Sequence, residues 1–578
     1  MNTLVLLLLC TALLACGYTF YGRWLCKQWG VDETNKTPTP AHTMTDGMDY
    51  VPAKAPVLMG HHFSSVAGAG PITGPIAASI FGWLPVTLWV LIGGIFFGGV
   101  HDFGALIASI RHKGQSIGEI IDINMSRRAK VLFTVFTYLT IVLVVAAFGA
   151  IVASTFGAVM KDGVIDVAAS QTQASVAMVS MLFIAVAVVF GFFVYQKHCS
   201  MSVTTVLGIC AIVLCLVLGM NWHPLYFSTT TWMYIVGLYI AVASVTPVWI
   251  LLQPRDYLSS FLLYAMLIVA FVGVIGAHPD INPESFPAFT GFAIETKNGM
   301  QYLFPILFTT VACGAISGFH SLVSSGTTSK QLDKESDARP IAYGSMLLEC
   351  VLAILTLCAI AYARETGHTK GVTDIFAGGI AAMAASIPGL DGLEHIMYTL
   401  LVLTYSAFCL TSLDTATRVG RFMFQELWLK PGQTVDDITG GWKKLLVNPY
   451  VATVITVILG IGLGMNGFQK IWGIFGAANQ LLAGLGLLAI CTWLGNAGRN
   501  NKMFMFPMAF MTVVTISSLV IIVRNQLAII AAGGADWGPY AQVILGVLLT
   551  VLAIVLVVEG IATLRHPKKD TAVQEVNG

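Results

Sequence analysis

Five ionisable side chains lie inside long apolar stretches of this 578-residue chain. They are His61, His62, His101, Asp102 and His320. Histidine changes its charge near neutral pH and a buried carboxylate can be tuned to do so, which would let the set take up and release protons. Imidazole with carboxylate also suits zinc or iron, so all five are candidate metal ligands too. A third interpretation makes them hydrogen-bond partners between helices.

Two further carboxyl groups interrupt apolar runs. Asp414 is a candidate for proton coupling, but it also precedes Arg418 by one helical turn and could form a local ion pair with it. Glu349 has a competing interpretation as a hydrogen-bond partner between helices. Ionisable groups are costly in apolar surroundings, so each is a functional candidate by default.

The segment 249–258 contains a third kind of feature. Pro254 ends one predicted helix, and the neighbouring Arg255 and Asp256 can pair across the break. A gate or a structural clamp is predicted here in preference to a substrate site.

Two stretches rich in Gly, Ser, Thr and Pro also lie inside apolar runs. The first contains Pro71 and Pro75, which cannot donate hydrogen bonds within a helix, so the helix should be broken there. The second, 314–330, has a similar density of glycine and hydroxyl residues. Interrupted helices expose backbone N–H and C=O groups, which transporters use to bind substrate. The predicted substrate-binding residues are Ser64, Ser65, Gly68, Ala69, Gly70, Ser325, Gly326, Thr327 and Thr328.

The two stretches also match each other at one common offset. Gly60, His62 and Gly68 correspond to Gly318, His320 and Gly326. The spans that contain them run in opposite directions in the predicted topology, which indicates an inverted repeat.

The elements that position these residues are predicted transmembrane helices. Hydrophobic residues make up 56% of the chain and charged residues only 10%, against about 25% charged in soluble domains. The net charge of +1 provides no field that would attract nucleic acid. Apolar runs long enough to span a bilayer give an all-α polytopic protein with about fifteen helices. They are 2–22, 57–80, 83–110, 129–159, 172–196, 201–219, 232–251, 258–277, 303–323, 341–363, 394–416, 449–465, 470–495, 504–523 and 540–563.

The distribution of Lys and Arg predicts the orientation. Basic residues concentrate in alternate loops, chiefly 111–130, 330–339, 418–444 and 499–502 and the tail 565–569. Such loops are cytoplasmic, so the N-terminus should lie outside and the C-terminus inside. No Lys or Arg precedes the run 2–22, which predicts a retained helix rather than a signal peptide. The stretch 374–388 is predicted to be a short outer helix or a re-entrant segment.

Six collinear motifs point to a known family. They are GHHFSSVAGAGPI (60–72), GVHD (99–102), LQPRDYL (252–258), SGFH (317–320) with SSGTTSKQ (324–331), LDT (413–415) with Arg418, and FGAANQLLA (475–483). In these motifs the chain resembles the carbon starvation protein A (CstA) family.

The resemblance implies a bacterial inner-membrane uptake protein that serves peptide utilisation when carbon is scarce. One branch of the family imports pyruvate with protons. A related superfamily implies a five-plus-five inverted repeat. The chain would then form one transmembrane transporter domain over 1–578, with an extra helix at 2–22, a family-like core at 57–485 and C-terminal helices at 504–563.

The resulting hypothesis is a secondary active transporter that works by alternating access. Backbone amides around 68–70 and 326–328 would hold a peptide or a small carboxylate such as pyruvate, and His62, His320, Asp102 and Asp414 would couple its import to protons. No GxxxxGK[ST] motif is present, so neither ATP, another cofactor nor an enzymatic activity is expected. The alternatives are a membrane enzyme that uses the histidine set as metal ligands and a nutrient sensor.

Overall fold

α-Helices dominate the computed structural model, which describes residues 1–47, 49–197, 199–296, 299–430, 433, 435–465, 468–533 and 537–565. Most of the predicted basic tail, 566–569, lies outside these residues. The helices of the first half are α1 (Thr3–Cys16), α2 (Gly22–Trp29), α3 (Pro40–Thr43), α4 (Ala55–Ala67), α5 (Gly70–Ala78), α6 (Trp83–Gly93), α7 (Gly99–Arg111), α8 (Ile117–Asn124), α9 (Arg127–Phe156), α10 (Gln171–Gly191), α11 (Met201–Asn221), α12 (Thr229–Val245) and α13 (Leu252–Ala277).

The second half continues the same pattern. Its helices are α14 (Leu303–Thr310), α15 (Gly318–Gly326), α16 (Ser345–Thr366), α17 (Gly379–Ala385), α18 (Glu394–Glu426), α19 (Trp442–Leu446), α20 (Pro449–Gly464), α21 (Phe468–Asn496), α22 (Lys502–Ala531) and α23 (Trp537–Arg565). Short π-helical turns are Gly17–Tyr21, Gly94–Gly98, Phe192–Gln196, Arg339–Gly344 and Asp374–Gly378. Short 3-10 turns are Ser79–Phe81, Thr328–Lys330, Glu335–Asp337, Asp391–Leu393 and Val435–Asp437.

Eleven helices among the described residues are long and apolar enough to cross a membrane. A helix satisfies all of its backbone hydrogen bonds internally, which is why apolar runs of this length fold this way in lipid. The chain is therefore a multi-pass helical membrane protein. A count of fifteen spans is reached only if the shorter helices α12 and α20 and the interrupted segments α4–α5 and α14–α15 also cross, and it stays a prediction.

The loops collect on two faces. On one of them, Arg111 pairs with Glu335, Arg127 donates to the carbonyl of Leu429, and the side chain of Asn500 donates to Gln28. We call this the basic face, because these loops carry most of the Lys and Arg residues. On the opposite face, Asn2 forms a bridge with Asp280, and the Arg364 side chain donates to the carbonyl of Ser285. These contacts join loops that the charge pattern assigns to the same side, and alternation along the whole chain stays a prediction.

Close helix packing fills the centre. Helix α9 packs along α18, α20 and α21. A Cβ added at Gly464 would lie 2.6 Å from the carbonyl oxygen of Ala146, so a small residue is needed where α20 meets α9. Small residues at such contacts are typical of membrane helices. Apolar side chains on the outer helices α11 and α23 are exposed, which suits contact with lipid.

Two local features differ from the sequence expectation, and a third agrees with it. Two antiparallel hairpins break the all-α pattern, β1 (Met160–Lys161) with β2 (Val164–Ile165) and β3 (Ala293–Thr296) with β4 (Gly299–Tyr302). The first helical span runs on to Trp29 rather than ending at residue 22, because α2 packs its apolar side inward. Residues 374–385 form a short helix that packs on α13 and α16, as predicted.

Candidate functional site

The first interrupted segment is α4 followed by α5. Gly68 links the two helices at a φ of +45°, a conformation that favours glycine. A Cβ added at Gly70 would lie 2.4 Å from the side chain of Cys313. The break that Pro71 and Pro75 predicted is therefore present, and it lies directly against the second interrupted segment.

The second interrupted segment differs in detail from the prediction. Helix α14 ends at Thr310, α15 begins at Gly318, and the non-helical residues are 311–317 rather than the whole of 314–330. The hydroxyl-rich part is helical because its side chains bond to the preceding turn. Ser325 Oγ donates to the carbonyl of Ser321 at 2.7 Å, a pattern that keeps hydroxyls satisfied inside a helix.

The two ends of α15 have different surroundings. At its N-terminus, the backbone N–H of Phe319 donates to Asn479 Oδ1 at 2.9 Å, and Asn479 Nδ2 donates to Ser317 Oγ at 3.0 Å. At its C-terminal end lie Ser325, Gly326, Thr327 and Thr328. A helix presents carbonyl oxygens at that end, which does not suit an anion and revises the predicted amide site at 326–328.

The candidates of the first segment are enclosed between α13 and α18. Ser65 Oγ lies 3.2 Å from Thr415 Oγ1, and Ser412 Oγ donates to the carbonyl of Ser65 at 2.9 Å. Ser64 Oγ lies 3.4 Å from the carbonyl oxygen of Asp256. The first predicted substrate cluster is therefore a buried polar contact between three helices, adjacent to the break.

Asp102 organises a buried cluster on α7, α15 and α16. Its Oδ1 lies 2.9 Å from Nδ1 of His101, and its Oδ2 lies 2.7 Å from Nδ1 of His320. Nε2 of His320 lies 3.6 Å from Oε1 of Glu349. All four side chains are fully buried. The geometry brings together Asp102 and His320 from the proton-coupling prediction and adds Glu349, and we call these four residues the Asp102 cluster.

Arg255 organises a second buried cluster, on α12, α13 and α18. Its guanidinium pairs with Asp256 at 2.8 Å and with Asp414. It also donates to Thr411 Oγ1 at 3.0 Å, and Tyr239 Oη donates to Asp414 at 2.8 Å. We call these five residues the Arg255 cluster. The predicted pairing of Arg255 with Asp256 is found, but it lies within α13 rather than across a break, because α13 begins at Leu252 and its first turn includes Pro254.

The alternative ion pair of Asp414 with Arg418 is wrong. Arg418 instead lies 3.3 Å from Asp49 and donates to the carbonyl of Ala243 at 2.9 Å. Asp414 turns to Arg255, which is distant in sequence but better placed across the helix interface.

Two adjacent histidines on α4 contact the Arg255 cluster and the end of α15, respectively. Nδ1 of His61 lies 2.7 Å from Asp256 Oδ2 in the Arg255 cluster. Nδ1 of His62 lies 2.7 Å from Thr328 Oγ1, at the end of α15. Successive residues of a helix point about 100° apart, which explains the two directions. His62 precedes Gly68 by six positions, which is about 9 Å along the helix, so Thr328 and the first break do not share one point.

The metal-site interpretation gains no support from this geometry. Within the described residues, no group of three or more His, Cys, Asp and Glu side chains is arranged to hold a metal ion. His61 and His62 turn away from each other, while His101 and His320 direct Nδ1 to one shared carboxylate.

A cavity of about 270 Å³ lies near the opposite face. We call it the outer cavity; it is lined by Ile151, Ser154, Thr155, Thr172, Gln173, Gly371, Val372, Thr373, Tyr398, Val402 and Tyr405. At its inner end, Tyr405 Oη lies 3.2 Å from Thr73 Oγ1 on α5. One residue that lines the cavity, Tyr405, therefore contacts the second half of the first interrupted segment.

Sequence reasoning missed several of these residues. Tyr239, Thr73 and Tyr405 carry no local signal, because each acquires its role from a partner on a distant helix. Asn479 was not missed, because the sequence places it with Gln480 as polar groups inside the apolar run 470–495, and such an amide needs a polar partner.

Comparison with known proteins gives a consistent pattern. A family model described as carbon starvation protein CstA matches residues 2–369 and 361–518. The peptide transporter CstA of Bacillus subtilis (strain 168) is 29% identical over 99% of both chains. The peptide transporter CstA of Escherichia coli (strain K12) is 31% identical over 87% of this chain and 78% of that protein. The pyruvate/proton symporter BtsT of the same organism is 30% identical over 82% of this chain and 74% of that protein.

Solved structures show a more distant likeness. A manganese transporter from Eremococcus coleocola aligns with a TM-score of 0.49 at 11% identity, over 90% of this chain and 99% of that chain. MhsT in complex with L-phenylalanine aligns with a TM-score of 0.48 at 13% identity, over 88% of this chain and 99% of that chain.

Proposed function

The chain belongs to the carbon starvation protein CstA family, and on that premise we propose that it imports a small peptide or a small carboxylate such as pyruvate in symport with protons. It is a membrane transporter, as its relatives are. We propose that it lies in the bacterial inner membrane and that it works during carbon starvation. It needs no cofactor, and its partners are the substrate, protons and the lipid bilayer.

One observation carries the proposal beyond family membership. Two interrupted helical segments meet at Gly70 and Cys313, and a fully buried set of ionisable side chains lies beside them. Broken helices provide unpaired backbone groups for a substrate, and buried ionisable groups at membrane depth are typical of proton pathways. His62, His320, Asp102 and Asp414 are the groups that we assign to proton coupling.

We assign the basic face to the cytoplasm. Loops rich in Lys and Arg stay on that side during insertion, which puts the N-terminus outside and the C-terminus inside.

An inverted repeat agrees with the opposite directions of the interrupted segments. Six helices separate the two interrupted segments. They are α6–α7, which count as one helix, and α9, α10, α11, α12 and α13. A five-plus-five repeat that starts at each break has four there, so two of the six would be additional.

The substrate route starts at the outer cavity. From there it passes Tyr405 and Thr73 to the N-terminus of α5 at Ala69 and Gly70. Helix N-termini carry a partial positive charge, so this end suits a carboxylate. Ser64 and Ser65 lie on the adjoining end of α4 and complete the binding region.

The Arg255 cluster closes the route on the basic face. Arg255 on α13 and Asp414 on α18 form an ion pair, and Asp49 in the loop before α4 reaches Arg418. Alternating access requires these contacts to break when the substrate leaves. In this conformation the outer side has a cavity and the basic side is held shut.

The contact between Tyr405 and Thr73 gives a testable prediction. Tyr405→Phe and Thr73→Val each remove one side of a buried hydrogen bond worth about 1 kcal/mol, which should change the half-saturating substrate concentration about fivefold. The double variant should be no worse than either single variant, because both remove the same bond. Tyr398→Phe removes a hydroxyl from the same cavity and is the control. Additive effects of the two substitutions would show that the bond is not part of the route.

Transport itself is tested in proteoliposomes. Labelled pyruvate and a labelled dipeptide are each supplied with and without an inward proton gradient. Uptake of one compound, stimulated by the gradient, is the expected result and identifies substrate and ion together. Absence of flux for both, in vesicles shown to be tight, would contradict the proposed symport.

A further inference from the structure

Glu349 differs from every other fully buried carboxylate in the described part of the chain. The other four each have a donor nearby, namely Asp102 with His320, Asp256 with His61, Glu335 with Arg111 and Asp414 with Tyr239. Among the described residues, neither oxygen of Glu349 has a hydrogen-bond partner. An ionised carboxylate here would lose its water, and His320 at 3.6 Å could offset its charge only as an imidazolium. With His320 neutral, Glu349 is therefore a neutral acid and holds a proton that it can give up.

The nearest base is His320. Its Nδ1 lies 2.7 Å from Asp102, and a hydrogen bond to that carboxylate places the ring proton on Nδ1. Nε2 then carries the lone pair, is fully buried and makes no hydrogen bond within the described residues. It lies 3.6 Å from Oε1 of Glu349. An acid and a base thus face each other at 3.6 Å.

We propose that Glu349 carries the transported proton and exchanges it with Nε2 of His320. The proposal rests on the proton coupling proposed above and names the residue that performs it. In the forward step the O–H bond of Glu349 breaks and an N–H bond forms at Nε2, which leaves a carboxylate beside an imidazolium. The reverse step restores the neutral pair, and no other reactant is needed.

The distance between the two residues makes this exchange sensitive to conformation. A hydrogen bond needs about 2.7–3.2 Å between heavy atoms, so 3.6 Å is just too long and an approach of less than about 1 Å would close it. His320 lies on α15, directly after the break at 311–317, whereas Glu349 lies on α16, which packs along α5. Any movement of α15 against α16 during the cycle therefore makes or breaks the proton path.

The groups around His320 act on its charge in opposite directions. The Asp102 carboxylate on α7 stabilises an imidazolium at His320, while the N-terminal end of α15 disfavours it. His62 on α4 faces the same region, and His101 shares the Asp102 carboxylate. Cys313 in the break at 311–317 lies against His320, and Cys350 is the titratable neighbour on α16 itself. The influences on His320 therefore oppose each other.

Infrared spectroscopy tests protonation of Glu349 without any substrate. The purified protein in lipid should show the carbonyl band of a protonated carboxylic acid at neutral pH. Glu349→Gln has the shape of the protonated acid and should fold, yet it should lose this band. Glu365→Gln makes the same change at the exposed end of the same helix and should keep it. An unchanged band in E349Q would overturn the proposal.

Transport assays then separate proton release from substrate movement. In E349Q, uptake driven by a proton gradient should fall about 100-fold or more, the range in which positioned proton-transfer groups act. Exchange of internal for external substrate at equal pH should stay within about twofold, because it needs no net proton release. E365Q should match the wild type in both assays.

The other possible outcomes of these assays would contradict either the role of Glu349 or the proposed function. Gradient-driven uptake that survives in E349Q would overturn the proposal, as would loss of exchange together with uptake in a protein that stays monodisperse. If the wild type itself takes up neither pyruvate nor a dipeptide on a gradient, the proposed function fails, and the infrared band still decides whether Glu349 holds a proton.

Discussion

Replacement of Arg255 by methionine should destabilise the folded protein by about 3–5 kcal/mol, the range found when one partner of a buried ion pair is removed. Arg255 is the cation between Asp256 and Asp414, and all three are fully buried. Methionine has a similar length but no charge, so it leaves both carboxylates without the guanidinium. The measurement is thermal unfolding of the purified protein, followed by the loss of a monodisperse peak.

Two further variants make the result specific. Arg255→Met combined with Asp414→Asn removes a charge from each side and should recover a large share of the lost stability. Arg127→Met breaks a partly exposed pair with Asp122 and should cost no more than about 1 kcal/mol. If R255M were as stable as R127M, the Arg255 cluster would not hold α13 to α18.

The sequence predicted the first break well because its cause is local. Gly68 adopts a positive φ and Pro71 lies in the first turn of α5, whereas Pro75 is accommodated inside α5. The second break was placed too late for the opposite reason. Its hydroxyl residues bond within α15. The non-helical stretch 311–317 depends instead on Asn479, which caps the helix from α21.

Partners of charged residues were the least predictable feature. The spacing of Asp414 and Arg418 favours a local ion pair, yet each residue binds a group from another part of the chain. The i,i+4 spacing rule considers only partners on the same helix. Arg255 is 159 positions from Asp414 and becomes a neighbour only when α13 packs on α18.

A short piece of α4 contacts both the Arg255 cluster and the end of α15. His61 contacts the Arg255 cluster, which closes the basic face, and His62 contacts the end of α15. The same helix leads six residues later into the break at Gly68. A tilt of α4 would therefore alter the closure, the proton groups and the substrate region together. Helix α4 is one rigid element that contacts the closure, the proton groups and the substrate region, so it could couple their movements.

Asp102→Asn should reduce gradient-driven uptake by about 100-fold or more, the scale of a lost proton-transfer group. Asp102 accepts from His101 and His320 at once, so it fixes both rings and offsets the charge of any imidazolium that forms. Asparagine keeps the size of the side chain but loses the charge, and its NH₂ group faces one ring as a donor. Uptake of whichever labelled substrate the wild type imports is the measurement.

A second histidine–aspartate pair in the same chain provides the control. His368 lies 3.0 Å from Asp374 near the opposite face, where both side chains are partly exposed. Exposed pairs contribute little, so Asp374→Asn should change uptake by less than about threefold. Asp102→Glu keeps the charge and should retain part of the activity. Equal losses in D102N and D374N would mean that the substitutions act through folding, and normal uptake in D102N would remove Asp102 from the proton path.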